Sequence, residues 1–333
     1  MFLGVDGGGT KTAFALVDRQ GSILARHEES SAYYLEVGMD GAAAVLARGC
    51  AALFALAGVT ADQVEFAFFG LPAYGEDRAV QPQLDALPFA VLGHRRYLCG
   101  NDMVCSWAGS LACADGISVI AGTGSMAYGE IGGKRARAGG WGELFSDEGS
   151  AYWIARAGLA LFSRMSDGRA ARGPLHALMR TRLALHDDLD LCQVVYGELK
   201  AERSKVAALS RLVTEAAAQG DLQAAAIIES AAAEVAALVD AVRGTLGVDP
   251  ATEVAVSYSG GLFGAEGPLR ASFARALAAG GAGAYRVVPP RLPPVLGAAL
   301  YAALNAGAPL GPEALERMAD KAPNNSAGPA AIC

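Results

Sequence analysis

The sequence predicts an α/β protein made of two related lobes with a cleft between them. Strand-like and helix-like segments alternate through the first part of the chain, the pattern of helices laid over a sheet. A unit of strand, small-residue turn and strand opens the chain and returns at Ile117. The 333 residues, 53% hydrophobic and 18% charged, exceed one ordinary domain and can bury two cores.

The first unit carries the strongest motif. Val5-Asp6-Gly7-Gly8-Gly9-Thr10-Lys11-Thr12 places a carboxylate and three glycines between two apolar runs. Glycines let a backbone approach a ligand closely, because no Cβ intervenes. Backbone N–H groups and the Thr10 hydroxyl can bind phosphate oxygens, while Asp6 can hold a metal ion through water. The run Thr12–Asp18 reads as a strand, so the turn joins a hairpin. A Walker A loop would need Gly before Lys and a helix afterwards, and a dinucleotide fingerprint would also need that helix. A plain glycine-rich hairpin turn is the structural alternative.

A helix is expected over about 39–57, then a buried strand at Val64–Phe69 ending in Gly70-Leu71-Pro72. A short strand, Arg96–Cys99, runs into Gly100-Asn101-Asp102, and a helix follows from Met103 to about Cys113. The second hairpin, Ile117–Ala121 and Met126–Ile131, turns through Gly122-Thr123-Gly124-Ser125. From about Lys205 to Gly247 the chain reads as Ala-rich helix broken at Gln219-Gly220-Asp221, with Leu222, Ala226, Ile227, Ser230, Ala231, Val235, Leu238 and Val242 as its core stripe. The acidic stretch His186–Asp190 reads as a turn or cap. Val254–Ser259 is a buried strand ending in Gly260-Gly261, where a flat ligand or another backbone can come close. A proline-rich crossing precedes a small-residue helix, Val295–Ala306, and the tail after Pro323 reads as loose.

Bulk properties narrow the function. The formal net charge is −7 and no basic run stands out, which argues against nucleic acid as a partner. The six cysteines, Cys50, Cys99, Cys105, Cys113, Cys192 and Cys333, are widely spaced and form no CxxC pair. Small buried residues in a reducing compartment account for them better than a zinc site or a disulfide framework. The N-terminus enters a strand at once without a signal-type stretch, and Arg48 and Gly49 interrupt the apolar run from Ala42 to Leu56. A cytoplasmic enzyme that does not engage a membrane is expected.

Three turns of phosphate or nucleotide type, at residues 6–12, 122–125 and 259–261, now stand in one chain. Together they resemble the actin-like (ASKHA) ATPase superfamily. Within it the chain is most similar to the BadF/BadG/BcrA/BcrD-type ATPases, the family that contains the N-acetylglucosamine kinases. The segment Gly139-Gly140-Trp141-Gly142-Glu143-Leu144-Phe145-Ser146-Asp147-Glu148-Gly149-Ser150-Ala151-Tyr152-Trp153-Ile154-Ala155 carries that resemblance most specifically. Val5–Thr12, Asn101-Asp102, Ala121–Ser125, Gly260-Gly261 and Leu296-Gly297-Ala298-Ala299 extend it over most of the chain.

The resemblance implies two actin-like, RNase H-like lobes around a central cleft. The N-terminal lobe would be residues 1–115, with a C-terminal helix over about 295–320 packed back on it, and the larger lobe residues 116–294. It implies an ATP-dependent amino-sugar kinase that uses Mg²⁺. Asp102 would be the catalytic base toward the sugar hydroxyl, beside Asn101, and Asp6 the metal anchor. Gly7, Gly8, Gly9, Thr10 and Lys11 would cradle phosphate, Thr123, Gly124 and Ser125 would form a second phosphate turn, and Gly260 and Gly261 would lie under adenine or ribose. Gly140, Trp141, Asp147 and Tyr33 would meet the sugar. Each has a plainer alternative: a helix N-cap for Asp102 and Asp147, a core anchor for Trp141, a surface lysine for Lys11. The partners are thus a small amino sugar and ATP, with neither nucleic acid nor membrane, and a homodimer is compatible with the sequence.

The chain departs from the family where it should border the sugar. Tyr33 or Tyr34 stands where the kinases carry Asn, and Gly70-Leu71-Pro72-Ala73-Tyr74-Gly75 replaces their Ser-Gly-Gly. Glucosamine and N-acetylmuramic acid are therefore alternatives to N-acetylglucosamine. A reductase-activating ATPase with a shared iron–sulfur cluster is the competing activity, and a regulator without catalysis is a third.

Overall fold

The computed structural model describes residues 1–264, 267–280 and 282–321. The tail expected to be loose and Cys333 lie outside them. The chain divides into two compact units, one of Met1–Asp115 with the described residues from Pro289 onward, the other of Gly116–Val288.

The first unit holds the strands β1 (Phe2–Gly7), β2 (Lys11–Val17), β3 (Ile23–Ser30), β4 (Phe66–Leu71) and β5 (Tyr97–Asn101), in the sheet order β3-β2-β1-β4-β5. β1 to β3 form an antiparallel meander, and β4 and β5 add in parallel beside β1. Parallel neighbours need a crossover, which the helices Tyr34–Ala57 and Gln81–Leu92 supply. The first of these is kinked at Gly38 (φ 72). By length and composition it could cross a membrane. Its residues Val45, Leu46, Cys50 and Leu53 instead pack with Leu3, Val5, Phe14, Leu16 and Phe69, which makes it a core helix of this unit.

On the other sheet face, Ala15 and Val17 meet Leu296, Ala299, Leu300 and Met318. The stretch expected as one helix over 295–320 is two, Pro294–Asn305 and Pro312–Asp320, with Gly307 in the left-handed region between them (φ 71).

The second unit repeats the topology. Its strands are β6 (Gly116–Ala121), β7 (Ser125–Ile131), β8 (Lys134–Gly139), β9 (Val254–Ser259) and β10 (Tyr285–Val287), in the order β10-β9-β6-β7-β8. Again the first three are antiparallel and the last two join in parallel. The long insertion between β8 and β9 is largely helical. Asp221 caps the helix Leu222–Leu246 by accepting hydrogen bonds from the Gln223 and Ala224 amides, at the break that Gly220 announces. The buried face of that helix is Ala224, Ile228, Ala231, Val235, Val239, Val242 and Leu246. The expected stripe is partly displaced: Leu222, Ala226 and Ser230 are exposed. In a helix where most positions are Ala or aliphatic, polarity gives too little contrast to identify the packed face.

Candidate active site

In the first unit, the row Asp6–Gly70–Gly100 crosses β1, β4 and β5 near their C-terminal ends. Asp102 opens the helix Asp102–Leu111 immediately after β5. The cap of that helix is Asn101, whose Oδ1 accepts from the Met103 amide at 3.1 Å, so the capping alternative for Asp102 falls away. The Asn101 Nδ2 donates to the Tyr74 carbonyl at 3.2 Å and ties the 72–75 turn to the same helix. Gly70 lies where this helix meets the sheet: a Cβ there would sit 2.2 Å from the Cys105 Sγ and 3.2 Å from the Asp102 Cα.

Two half-buried carboxylates thus lie near one another. Burial raises the Asp6 pKa to about 7, against the smaller pull of its hydrogen bond with Cys105 and the charge of Lys11. Burial, then repulsion by Asp6, raises Asp102 to about 8. A pair of like charges in low dielectric resists full ionisation, a condition common where carboxylates bind cations or move protons.

The Gly8–Thr10 turn is braced from below. The Gly8 amide donates to the Lys11 carbonyl at 2.8 Å, and the Ser31 hydroxyl to the Gly8 carbonyl at 2.8 Å. Buried Thr12 accepts from the Ala32 amide at 3.0 Å, so the loop carrying Tyr33 is fixed to the turn. Gly9 and Thr10 are exposed. Lys11 is exposed and pairs with Glu28 on β3. The Tyr74 hydroxyl donates to Asp85 at 2.8 Å and accepts from Gln81, which commits it to the helix Gln81–Leu92.

In the second unit, β6 and β7 close through Gly122-Thr123-Gly124, with the Gly122 amide on the Gly124 carbonyl at 2.9 Å. Gly260 follows β9 with φ 97, and a Cβ there would lie 2.3 Å from the Ala121 carbonyl oxygen, so Gly260 and this turn are neighbours. Gly140 (φ 70) packs on Met126. Trp141 is 67% exposed, which removes the core-anchor alternative, and the Arg137 guanidinium lies 5.6 Å from its ring centre.

Asp147 is only 2% exposed. The cap of the helix Ala151–Ser166 is Ser150, which accepts from the Trp153 amide at 3.1 Å, so Asp147 does not cap it. Instead Asp147 accepts from the Ser125 amide at 3.4 Å and pairs with Arg203. Of the residues assigned to the sugar by resemblance, Asp147 thus stands directly behind the Gly122–Ser125 turn. Arg203, the partner of Asp147, is a residue that the sequence does not single out. It lies 56 positions from Asp147 in an unremarkable helical stretch, and only the fold brings the two together. The His186–Asp190 stretch is a turn: Asp190 accepts from the His186 and Asp187 amides, and Asp188 pairs with His176. No cluster of three or more His, Cys, Asp or Glu side chains suited to a metal occurs among the described residues.

The chain is 31% identical over 270 residues to N-acetyl-D-glucosamine kinase from Dictyostelium discoideum, spanning 78% of this chain and 85% of that protein. It is 33% identical over 163 residues to N-acetylmuramic acid/N-acetylglucosamine kinase from Clostridium acetobutylicum, spanning 49% and 53%. A solved structure from Chromobacterium violaceum, provisionally named an N-acetylglucosamine kinase, superposes with a TM-score of 0.69 at 26% identity and covers 90% of this chain and 97% of that one. Residues 3–302 match the BadF/BadG/BcrA/BcrD ATPase family, and the chain belongs to that family.

Proposed function

We propose that this protein transfers the γ-phosphoryl group of ATP to a hydroxyl of an amino sugar, N-acetylglucosamine giving its 6-phosphate. The observation that carries the reading is the pair Asp6, on β1, and Asp102, at the start of the helix that follows β5, with the Gly8–Thr10 turn directly after β1. The names of the relatives supply the sugar; N-acetylmuramic acid and glucosamine are the close variants.

Phosphoryl transfer asks a protein mainly to position groups and neutralise charge. Asp102 accepts the proton of the attacking hydroxyl as its oxygen bonds to the γ-phosphorus and ADP departs. A raised pKa makes it a stronger base than an ordinary carboxylate, which suits that step. In the first unit the exposed Gly9–Thr10 segment, with the Thr10 hydroxyl, offers phosphate contacts, the Gly8 amide being bonded to the Lys11 carbonyl. In the second unit the Thr123–Gly124 turn and the exposed Gly260-Gly261 backbone offer nucleotide contacts, the Ser125 amide and hydroxyl being bonded to Asp147 and the Glu148 carbonyl. Trp141 offers an exposed aromatic face to the apolar side of a sugar ring, with Gly140 beside it. Lys11, already paired with Glu28, is left on the surface in this reading.

Mg²⁺ fits Asp6. The ion binds through one or two carboxylates, waters and substrate phosphates, and a desolvated carboxylate beside a second one provides the hard oxygen donor. When bound, it neutralises the charge that builds on the phosphates.

The test is an ATP-coupled assay over N-acetylglucosamine, glucosamine, N-acetylmuramic acid and glucose. Turnover with the first is expected, and absence of turnover with every amino sugar would discard the proposal. Asp102→Asn is expected to lower kcat by at least about 100-fold with nucleotide affinity retained. A variant with near-normal turnover would remove Asp102 from the base role.

A further inference from the structure

We propose that Arg203 is a nucleotide-binding residue that adds a positive charge to the Gly122–Ser125 phosphate turn, aimed by the carboxylates of Asp147 and Glu143. This rests on reading the chain as an ATP-dependent kinase.

The guanidinium lies against the turn itself. A Cβ built on Gly124 would meet the Arg203 Nη2 at 2.4 Å and the Asp147 Oδ2 at 2.9 Å. Two of its nitrogens are held by carboxylates: Nη2 pairs with Asp147, and Nε lies 3.3 Å from Glu143. The remaining amino group has no partner among the described residues, and the Arg203 side chain is 42% exposed. A planar fork anchored along one edge presents its other edge for phosphate oxygens, which is how arginine recognises such groups.

The backbone around the contact is strained on both sides. Asp147 has φ 60, and Lys200 and Ala201, just before Arg203, have φ 53 and 52. Left-handed backbone at non-glycine residues costs energy and persists where its surroundings enforce it, commonly at ligand sites. A π-helical turn, Gln193–Glu198, precedes the strained pair, and such turns are likewise frequent at functional sites. An ion pair between a buried acid and a partly exposed arginine is a weak stabilising device, so stability alone gives little reason for this strain. Burial also holds the Asp147 pKa above the ordinary carboxylate range despite Arg203, which marks the contact as one that does not fully offset the burial of its acid.

The test is calorimetric titration of the Mg²⁺-loaded protein with AMP, ADP and a non-hydrolysable ATP analogue, in wild type, Arg203→Gln and Arg203→Lys. Arg203→Gln is expected to weaken the ATP analogue on the order of 10- to 100-fold, ADP less, and AMP within about twofold. Arg203→Lys should recover part of the loss, because it keeps the charge but not the fork. Asp147→Asn should weaken the analogue in the same graded way and add little to Arg203→Gln, since both act through one guanidinium. Equal losses for AMP and the ATP analogue would show a structural role and overturn the proposal, as would unchanged affinity in Arg203→Gln. Failure of the wild-type protein to bind the analogue would instead overturn the kinase reading.

Discussion

Asp6→Asn should make the ligand-free protein more stable at alkaline pH. The folded state holds Asp6 with a pKa of about 7 and Asp102 with one of about 8, against an ordinary aspartate value of 3.8. A carboxylate whose folded pKa is raised binds its proton more tightly in the folded state than in the unfolded chain. Stability is therefore full below the ordinary carboxylate range and falls as pH rises through the folded pKa values. For Asp6 alone the shift corresponds to a ceiling of about 4 kcal/mol. The two acids titrate as a coupled pair, and Asn also loses the favourable contact with Cys105, which leaves ~1–3 kcal/mol. For a unit of this size that is a rise in Tm of roughly 3–8 °C. The assay is thermal unfolding of both proteins from pH 3.5 to 9 with EDTA and no nucleotide. The gain should be smallest at pH 3.5, where the carboxyl is largely protonated in the folded and unfolded states alike, already appreciable at pH 5, and largest near pH 8.5. An equal gain at pH 3.5 and pH 8.5, or a loss of stability at pH 8.5, would refute the argument that burial and mutual repulsion raise these pKa values.

Other perturbations test the frame around the site. Asn101→Ala should cost ~1 kcal/mol by removing the cap of the Asp102 helix, and kcat should fall while nucleotide affinity holds; Asn101→Asp, which can still cap but cannot donate to the Tyr74 carbonyl, should recover only part of the stability. Gly70→Ala places a Cβ 2.2 Å from the Cys105 Sγ, so it should cost ~1–3 kcal/mol, and the double variant with Cys105→Ala should regain much of that in an unfolding assay. Gly260→Ala combines a positive φ with a clash against the Ala121 carbonyl. It should weaken binding of adenosine as well as of ATP, which distinguishes it from the phosphate-graded loss expected of Arg203→Gln.

Much of this was legible from the chain, for reasons that are local. The hairpins at Gly8–Thr10 and Gly122–Gly124 announce themselves because small residues interrupt apolar runs. Gly220 and Asp221 mark a helix end and start by their own backbone chemistry. The edge strands were missed where a local signal is weak. β3 reads Ile-Leu-Ala-Arg-His-Glu-Glu-Ser, with five polar or charged residues of eight, and β8 reads Lys-Arg-Ala-Arg-Ala-Gly. These strands are fixed by their ladders to β2 and β7, not by their own hydrophobicity. The site divides in the same way. Asp6 and Asp102 sit beside the glycines that disclose them, whereas the capping roles of Asn101 and Ser150 and the burial of Asp147 depend on backbone angles at single residues. Arg203 carries no signal in its neighbours, since its partner lies far along the chain.

The shared strand order of the two units, set against their different site residues, indicates a division of labour. Each unit ends β1 or β6 in a small-residue turn with a parallel strand alongside. In the first, the final turns of chain deliver two acids and no internal counter-charge sufficient to relieve them, so burial drives both toward protonation. That arrangement is costly to the empty protein and useful only to a group that brings positive charge or a proton. In the second, the residues in register with Asp6 are apolar or small: Ile120 pairs with Ser259 and Ala121 with Ser125. The acid near that turn comes from a distant loop and arrives already paired with an arginine. The first copy of the fold thus adds metal and proton chemistry to its phosphate turn, and the second adds a guanidinium to its own. If that division holds, Asp6→Asn should change the pH profile of stability, and its graded loss from AMP to ATP should depend on Mg²⁺. Arg203→Gln should leave the pH profile unchanged and keep its graded loss in EDTA; a graded loss from Asp6→Asn in EDTA would show that the two units do not separate these tasks.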